Sequence, residues 1–379
     1  MTPLAEKIRN HLRRSGPVPF SSFMGMALYD ADLGYYARGP GRTGRSGDFF
    51  TSVSVGPVFG ELMAGQFCEV WEQLGQPADF VILERGASDG AFARDVLTWI
   101  TTQRPDFAAA LTYWIDEPLP RLAVAQQENL AAFAGKVQWG CPAAATGVFF
   151  ANELLDAIPF RRVRFTAGGW RELCVGLEGD DFAWVETEVL DGATQRRLTL
   201  LGTDFPEGYE TEIAPAVASE MRLASAAIAR GALFLFDYGY SAAEYYGPSR
   251  RTGTLRCYRQ HLAHEDPFDA VGETDITAHV DFTFATRAAL AAGCSLAGFL
   301  DQGRFLTGAA ESAIRAMDGR MPGPETTRWL RQFQTLTHPT QMGRLFHALV
   351  LGKDLPADFQ LTGLRHARAD HGLILDGRP

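Results

Sequence analysis

The fold is decided by the stretch FVILERGASDG, residues 80–90. Its first four residues are a short apolar run typical of a buried β-strand, and Glu84 follows at the end of that run. Gly86 and Gly90 then enclose a turn whose small side chains let a bound molecule approach the backbone, and a helical pattern from Ala91 supplies free N–H groups. Ser88 stands where a GxGxxG turn would have its middle glycine, and the Gly-Lys-Ser/Thr end of a Walker loop is absent. The stretch predicts a strand, a ligand-binding turn and a helix.

The same order of elements continues along the chain. Three further apolar runs have the length and composition of buried strands, and helical patterns separate them: the runs are 111–115, 148–151 and 232–236, and the helices are 91–100, 121–133 and 214–230. This alternation predicts an α/β fold with a mainly parallel, doubly wound sheet. Each run ends in polar or glycine residues, and the ligands of such sheets bind at the carboxyl ends of the strands.

Two regions depart from the alternation. Leu4, Ile8 and Leu12 mark an amphipathic amino-terminal helix, and a long glycine-rich loop follows it. Such a loop is more often functional than passive, although a flexible surface excursion would have the same composition. Apolar and polar residues alternate over 160–205, which predicts an antiparallel β insertion. The predicted organisation is a helical cap with a lid loop at 1–75, a core at 76–379, the β insertion at 160–213, and a substrate-side loop region at 240–282.

Composition restricts the class of protein. The chain has 379 residues, of which 46% are hydrophobic and 21% charged, so it can bury a large core. Its formal charge of −10 disfavours nucleic acid, because nonspecific binding to phosphates depends on Lys and Arg. No apolar run is long enough to predict a membrane span. An acidic surface suits a basic protein partner better, and the oligomeric state stays open, with a homodimer among the options.

The cysteines and the amino terminus bear on location. Five cysteines are scattered without a CxxC pair or a histidine at ligand spacing, which argues against disulfides and a structural zinc site, so no metal is expected. The amino terminus has no signal-peptide core, and Glu6 argues against a transit peptide. We expect a cytoplasmic, bacterial-type protein.

An acidic residue follows the second predicted strand. Glu117 lies 27 residues beyond Gly90, and a carboxylate there can accept hydrogen bonds from both hydroxyls of a ribose. Dinucleotide-binding sites have the same glycine turn and the same acid. The two features therefore predict that a nucleoside binds, but they do not identify which cofactor carries it. A plain strand, turn and helix with surface acids would also have this pattern.

Short blocks over nearly the whole chain match a known family in the same order. The most specific are NELLDAIP at 152–159 and DITAHVDF at 275–282. The others are Gly16-Pro17, LGYY at 33–36, GDFFTS at 47–52, FGE at 59–61, residues 84–90, DYG at 237–239, GTLR at 253–256, His261 and Asp266-Pro267. With these blocks the chain resembles the MidA family of S-adenosylmethionine-dependent methyltransferases, which are related to the mitochondrial complex I assembly factor 7.

The resemblance implies a Rossmann-like methyltransferase core with an amino-terminal helical cap and an insertion. The mitochondrial relative methylates an arginine of a complex I subunit, so the implied substrate is a protein arginine and the implied cofactor is S-adenosyl-L-methionine. The implied roles are a cofactor loop of Glu84, Gly86, Ser88 and Gly90, a ribose-binding acid in Glu117, contacts to the methionine end by Asn152 and Glu153, and a lid of Gly47, Asp48 and Thr51.

The chemistry of methyl transfer supports a role for carboxylates. A guanidinium is a weak nucleophile that keeps its proton at neutral pH, and carboxylates bind it and localise its charge. Glu153 and Asp156 are therefore candidate catalytic residues together with Asn152, although acids also cap helix starts. His261 is a candidate general base, as is His279, but histidines beside turns are more often structural. The same reservation applies to Asp275 and Asp281.

The chain departs from the family at two places. The family usually has Gly-Pro-Gly-x-Gly after the acid, whereas here the loop is GASDG at 86–90, and Val53-Ser54 replaces a Pro-Glu pair. The first interpretation is therefore a methyltransferase acting on protein. The alternatives are a catalytically degenerate cofactor-binding assembly protein and an NAD-dependent oxidoreductase.

Overall fold

The computed structural model describes residues 2–38, 51–317, 323–368 and 372–373. The predicted amino-terminal helix is confirmed, because Leu4, Ile8 and Leu12 are buried on one face of it and the Thr2 hydroxyl accepts the N–H of Ala5 at its start. The first elements are α1 (Pro3–Ser15), β1 (Val18–Pro19), α2 (Phe20–Tyr29) and α3 (Val58–Gln73).

The alternation that begins at residue 80 is also confirmed. The elements are β2 (Phe80–Arg85), α4 (Ala91–Gln103), α5 (Pro105–Ala110), β3 (Leu111–Asp116), α6 (Pro120–Asn129), β4 (Val137–Trp139) and β5 (Ala145–Asn152). The sequence did not indicate β4, which is three residues long and has one buried side chain, so it carries no apolar run.

The next segment is antiparallel. It contains β6 (Arg161–Thr166), β7 (Gly169–Glu178), β8 (Asp181–Thr187), α7 (Gly192–Leu201) and β9 (Glu210–Ile213). The expectation of alternating strands throughout 160–205 is wrong at α7, where the Asp191 side chain caps the helix by accepting the Thr194 N–H at 2.7 Å. β1 pairs with β7, so the segment after α1 adds a strand to this sheet, in the order β1-β7-β6-β9 with β8 on β7.

The remaining elements complete the main sheet and its helices. They are α8 (Ala216–Ala227), β10 (Ile228–Tyr240), α9 (Ala242–Tyr245), β11 (Arg256–Arg259), β12 (Leu262–His264), β13 (Asp275–Thr277), β14 (Val280–Asp281), α10 (Phe282–Ala291), β15 (Ser295–Asp301), α11 (Gln302–Ala309), α12 (Glu311–Met317), α13 (Pro324–Thr337) and β16 (Phe346–Lys353). The helix expected over 214–230 stops at residue 227, because the buried strand β10 already begins at Ile228.

The main sheet has the strand order β15-β16-β10-β5-β2-β3-β4. Pairing is parallel from β10 through β4, and β16 is antiparallel to both of its neighbours. The α/β doubly wound fold class is thereby confirmed. Strand order reverses next to β2, and in such sheets the crevice at the reversal point is where ligands bind.

Two apolar layers cover the sheet. On one face Phe92 stacks on Phe150 with ring centroids 4.0 Å apart, and Phe67 of α3 packs edge-on against the same ring. On the other face Met221 of α8 and Ala285 of α10 pack against Leu235 of β10. These layers hold the strand ends in fixed positions. In the part of the chain that the structure describes, no helix is both long and apolar enough to cross a membrane.

Candidate active site

A cavity of about 570 Å³ lies at the carboxyl ends of β2, β3 and β5. Tyr29 of α2 and the neighbouring Tyr36 form another part of its wall, with their ring centroids 5.4 Å apart. The cavity lies where the strand order reverses, which is the position that the strand ends in the sequence predicted.

The glycine turn after β2 lines the cavity in an unusual backbone conformation. Gly86, Ser88 and Gly90 have φ angles of +75°, +49° and +82°. A left-handed residue with a Cβ atom costs roughly 1 kcal/mol relative to glycine, so the turn is strained at Ser88. The exposed backbone of Gly86 gives a bound molecule close access to the turn.

Glu84 lies at the base of this turn and is buried. Its Oε2 accepts a hydrogen bond of 2.7 Å from the hydroxyl of Tyr113 on the neighbouring strand. Burial raises the pKa of Glu84 to about 8, and the nearby Asp89 and Glu117 add to the rise. The raised pKa favours the protonated form of Glu84 at neutral pH in the ligand-free protein.

Glu117 follows β3 and presents its carboxylate to the cavity. Its Oε1 accepts the N–H of Leu119 at 2.9 Å, and its Oε2 accepts the side-chain amide of Gln126 at 3.0 Å. Burial raises the pKa of Glu117 above its usual value, and these two donors offset only part of the rise. Leu119 and Leu122 supply apolar surface beside it. An orienting residue such as Gln126 was not among the predicted site residues.

Arg85 joins two further acids at the cavity wall. Its guanidinium contacts Asp116 at the end of β3, and its Nε lies 2.7 Å from Glu220 of α8. One cation is thereby shared by two carboxylates, so the group keeps an excess negative charge. Among the described residues that line it, the cavity carries six carboxylic side chains and this single arginine.

At the end of β5, Asn152 and Glu153 form a hydrogen-bonded pair. The amide nitrogen of Asn152 donates to Oε1 of Glu153 at 2.9 Å, while Oδ1 of Asn152 is buried with no partner among the described residues. Glu153 has a φ of +53°, and its backbone N–H donates to the carbonyl of Phe236 at 2.8 Å. Burial and, to a lesser degree, the charge of Asp156 together raise the pKa of Glu153 to about 8, while hydrogen bonds from Asn152 and the Ser52 backbone N–H oppose the rise.

Three more carboxylates lie behind Glu153. Asp237 accepts the N–H of Leu155 at 2.9 Å, Asp275 accepts the Tyr36 hydroxyl at 2.9 Å, and Asp156 accepts the hydroxyl of Tyr238. Burial raises the pKa of both Asp156 and Asp237. Asp156 is not among the residues that line the cavity, so it acts on the site through its neighbours.

The other predicted residues fall in different places. Thr51 lines the cavity, whereas Gly47 and Asp48 lie outside the described residues. His261 is exposed in the turn between β11 and β12 and does not line the cavity. His279 is largely buried against the rings of Tyr238 and Tyr240, which lowers its pKa to about 4.

Asp281 forms a structural contact. It accepts hydrogen bonds from Arg197 at 2.7 Å and from the hydroxyl of Tyr246 at 3.0 Å. Of the predicted site residues, the cavity gathers Thr51, Glu84, Gly86, Ser88, Glu117, Asn152 and Glu153, whereas Gly90, Asp156 and both histidines do not line it.

The cavity wall fits S-adenosyl-L-methionine at three points. The glycine turn offers backbone to the ligand, Glu117 offers a carboxylate to a ribose, and the unpartnered Oδ1 of Asn152 offers an acceptor to an ammonium group. The excess of acids also suits a ligand with a positively charged sulfonium.

Comparison with known proteins agrees with this fit. A model of an S-adenosyl-L-methionine-dependent methyltransferase family, Methyltransf_28, matches residues 62–300. The chain belongs to this family. S-adenosyl-L-methionine is therefore its cofactor, and the resemblance seen in the sequence is confirmed. The oxidoreductase interpretation is set aside.

Relatives of this methyltransferase match over most of their length. The Drosophila melanogaster protein arginine methyltransferase NDUFAF7 homolog, a mitochondrial protein, is 27% identical over 92% of this chain and 84% of its own. The human mitochondrial protein arginine methyltransferase NDUFAF7 is 25% identical over 97% of this chain and 86% of its own.

A solved structure supports both fold and cofactor. The crystal structure of a protein from Burkholderia thailandensis bound to S-adenosyl-homocysteine is 31% identical, with a TM-score of 0.88 over 98% of this chain and 96% of that one. A native structure from the same organism has a TM-score of 0.85. The methyltransferase fold predicted from the sequence is confirmed.

Proposed function

We propose that this methyltransferase transfers the methyl group to the guanidinium of an arginine in a protein substrate. The observation that carries the proposal is the carboxylate of Glu153, which lines the cavity with Asp156, Asp237 and Asp275 behind it. A carboxylate whose charged neighbours are all acidic has no positive group to pair with. A guanidinium would supply that positive charge together with paired N–H donors.

The charges of the cavity favour a cationic substrate. Arg85, the one arginine among the described lining residues, is already paired with Asp116 and Glu220. Among those described residues Glu153 therefore has no neighbouring positive charge in the cavity wall. A guanidinium beside Glu153 lowers the pKa of its carboxyl group and converts it to the charged form. Substrate binding would then release one proton at neutral pH.

The chain's own residues would align and deprotonate the substrate. S-adenosyl-L-methionine supplies a methyl group on a sulfonium, which is already a strong donor. Glu153 would hold the guanidinium so that one nitrogen faces that methyl group, and aligned reactants react much faster than free ones. As the new N–C bond forms, the methylated nitrogen loses one proton, and Glu153 is the carboxylate placed to accept it.

The aromatic wall would complete the substrate site. The rings of Tyr29 and Tyr36 line the cavity with Glu153, and planar guanidinium groups stack well on such rings. Their hydroxyls are engaged elsewhere, since Tyr29 donates to the Ala157 carbonyl at 2.9 Å and Tyr36 donates to Asp275. We assign Asn152 and Glu153 as the groups that touch reactants, and Asp156 as a positioning residue.

The names of the curated relatives support the choice of substrate, because they are protein arginine methyltransferases. The complex I subunit implied by the sequence resemblance belongs to the same proposal, as does the basic protein partner expected from the charge of −10.

A methyl-labelling experiment tests the proposal. Purified protein and cofactor with a labelled methyl group are incubated with an arginine-containing peptide, with the same peptide carrying lysine in place of arginine, and with cell lysate. We expect label in methylarginine after hydrolysis of the arginine peptide or of a lysate protein. Label in lysine or in no protein would contradict the proposal.

One observation favours a second function. Ser88 occupies a left-handed position that suits glycine, and this strain would weaken the cofactor turn in a protein that binds partners without turnover. Tight binding of S-adenosyl-L-methionine without label in any protein would favour this cofactor-binding assembly protein.

A further inference from the structure

Gln126 of α6 connects three parts of the cofactor site. Its side chain is fully buried, and its amide nitrogen donates to the carbonyl oxygen of Ser88 at 2.9 Å and to Oε2 of Glu117 at 3.0 Å. Its amide oxygen accepts the indole N–H of Trp139 on β4 at 3.0 Å. One side chain thus contacts the glycine turn, the acid after β3 and the next strand.

The orientation of this amide has only one solution. The indole of Trp139 donates and cannot accept, so it must face the amide oxygen of Gln126. The two amide protons then point to Ser88 and Glu117, both of which present oxygens. Every polar atom of the side chain is satisfied, as a buried amide requires.

The contact to Ser88 falls at the strained point of the turn. Ser88 has a φ of +49°, which is unfavourable for a residue with a Cβ atom and free for glycine. Asn129, one turn later on α6, donates to the carbonyl of the following residue, Asp89, at 2.9 Å. Two consecutive carbonyls of the turn are therefore held from the same helix.

The turn and α6 also touch directly. A Cβ atom on Gly90 would lie 3.5 Å from both Cα and Cγ of Gln126 and 3.2 Å from a methyl group of Leu130. Gly90 thereby lets the helix approach the turn closely enough for Gln126 to reach Ser88.

We propose that Gln126 is a positioning residue that holds Ser88 in the conformation a glycine would adopt and aims Glu117 at the ribose of the cofactor. The family usually has glycine at position 88, and glycine adopts a positive φ without strain. In this chain the hydrogen bond from Gln126 holds a serine at that φ instead. The inference rests on the assignment of Glu117 and the turn to the cofactor, and it is independent of the methyl acceptor.

The first test is a double-mutant cycle on binding of S-adenosyl-homocysteine, measured by calorimetry. Gln126→Met keeps the side-chain length and removes the hydrogen bonds, and we expect roughly tenfold or greater loss of affinity. Ser88→Gly should change affinity less than about threefold in the natural chain and recover at least about threefold in the Gln126→Met background. Equal effects of Ser88→Gly in both backgrounds would overturn the proposal.

The second test uses the ribose itself. Removing both ribose hydroxyls from S-adenosyl-homocysteine should cost the natural chain roughly tenfold or more in affinity, and should cost Gln126→Met clearly less, because Glu117 is no longer aimed. If Gln126 only stabilised the fold, Gln126→Met would lower the affinity for S-adenosyl-homocysteine and for the ligand without ribose hydroxyls by the same factor. That equal loss would overturn the proposal.

Two variants protect the test against misfolding. Gln127→Met makes the same chemical change at the exposed neighbour and should bind both ligands as the natural chain does. If Gln126→Met does not fold, Gln126→Leu takes its place, since it fills a similar volume and donates to neither Ser88 nor Glu117. Failure of the arginine proposal would leave these binding results unchanged, whereas failure of the inference would leave methyl transfer to arginine intact.

Discussion

The two ends of the cavity differ in how their carboxylates are satisfied. At the end of β3, Glu117 already accepts a backbone N–H and the amide of Gln126. At the end of β5, Glu153 accepts from the amide of Asn152 and the backbone N–H of Ser52, but its charged neighbours Asp156, Asp237 and Asp275 are all acidic. The first end is arranged before any ligand arrives, whereas the second is completed by a cation. We infer that the first binds the cofactor and the second the reacting group.

The largest expected effect concerns the first end. Glu117→Ala should weaken binding of S-adenosyl-homocysteine by roughly a hundredfold, because hydrogen bonds to a charged group contribute about 1.5–3 kcal/mol. Calorimetry measures the loss, with Glu178→Gln at the exposed carboxyl end of β7 as a control that should bind normally. An affinity within about threefold of the natural chain would remove the distinction between the two ends.

The second prediction concerns pH and the other end. The pKa of Glu153 is raised to about 8 in the folded chain, so between about pH 4.5 and pH 8 the folded state keeps a proton that the unfolded chain has lost. The free energy of unfolding should therefore fall as pH rises through this window, by up to about 1.4 kcal/mol per pH unit from this group.

Denaturant unfolding of ligand-free protein at several pH values measures this slope. Glu153→Gln should make this slope less steep by the amount that corresponds to one bound proton, whereas Glu178→Gln should leave the slope unchanged. A slope that is the same in the natural chain and in Glu153→Gln would show that Glu153 is ionised without a cation, and the contrast between the two ends would fail.

A smaller effect is expected for the aromatic wall. Tyr36→Phe removes the hydrogen bond to the buried Asp275 and keeps the ring, so it should lower the free energy of unfolding by about 1–2 kcal/mol. It should leave binding of S-adenosyl-homocysteine within about threefold, since the hydroxyl points toward the carboxylates. A large loss of cofactor affinity would instead place Tyr36 at the cofactor end.

The smallest effect concerns strain in the turn. Ser88→Gly should raise the free energy of unfolding by up to about 0.5 kcal/mol, because relief of the left-handed serine is partly offset by the greater freedom of glycine in the unfolded chain. Thermal or denaturant unfolding would detect it. Destabilisation by more than about 1 kcal/mol would mean that the serine side chain, rather than its backbone, supports the turn.

Much of the fold was predictable because buried parallel strands are apolar runs with polar ends. The runs at 111–115 and 232–236 lie within β3 and β10, and their ends meet at the cavity edge or behind it. The pairing of β1 with β7 was not predictable, since it joins residues far apart in the sequence through a strand of two residues. The edge strand β4 was not predictable either, because only one of its three side chains is buried and it carries no apolar run.

The site was predictable where strand ends carry acids and less so elsewhere. Gln126 was not predicted from the sequence, because a single glutamine on a helix has no chemical signature of its own. The spacing of α6 could have identified it. Leu122, Gln126 and Leu130 are four residues apart and all buried, so a polar side chain occupies a position of the core-facing pattern. Asp156 was placed with Glu153 by the NELLDAIP block, yet the chain turns its side chain toward Tyr238.

The most direct test of the central claim is Glu153→Gln assayed for two quantities on one preparation. Methyl transfer to an arginine peptide and calorimetric binding of S-adenosyl-homocysteine are measured for the variant, for the natural chain and for Glu178→Gln. We predict that transfer by Glu153→Gln falls by roughly a hundredfold or more, while cofactor affinity stays within about threefold. Transfer within about tenfold of the natural rate, or loss of transfer and cofactor binding together, would contradict the assignment of Glu153 to the reacting group.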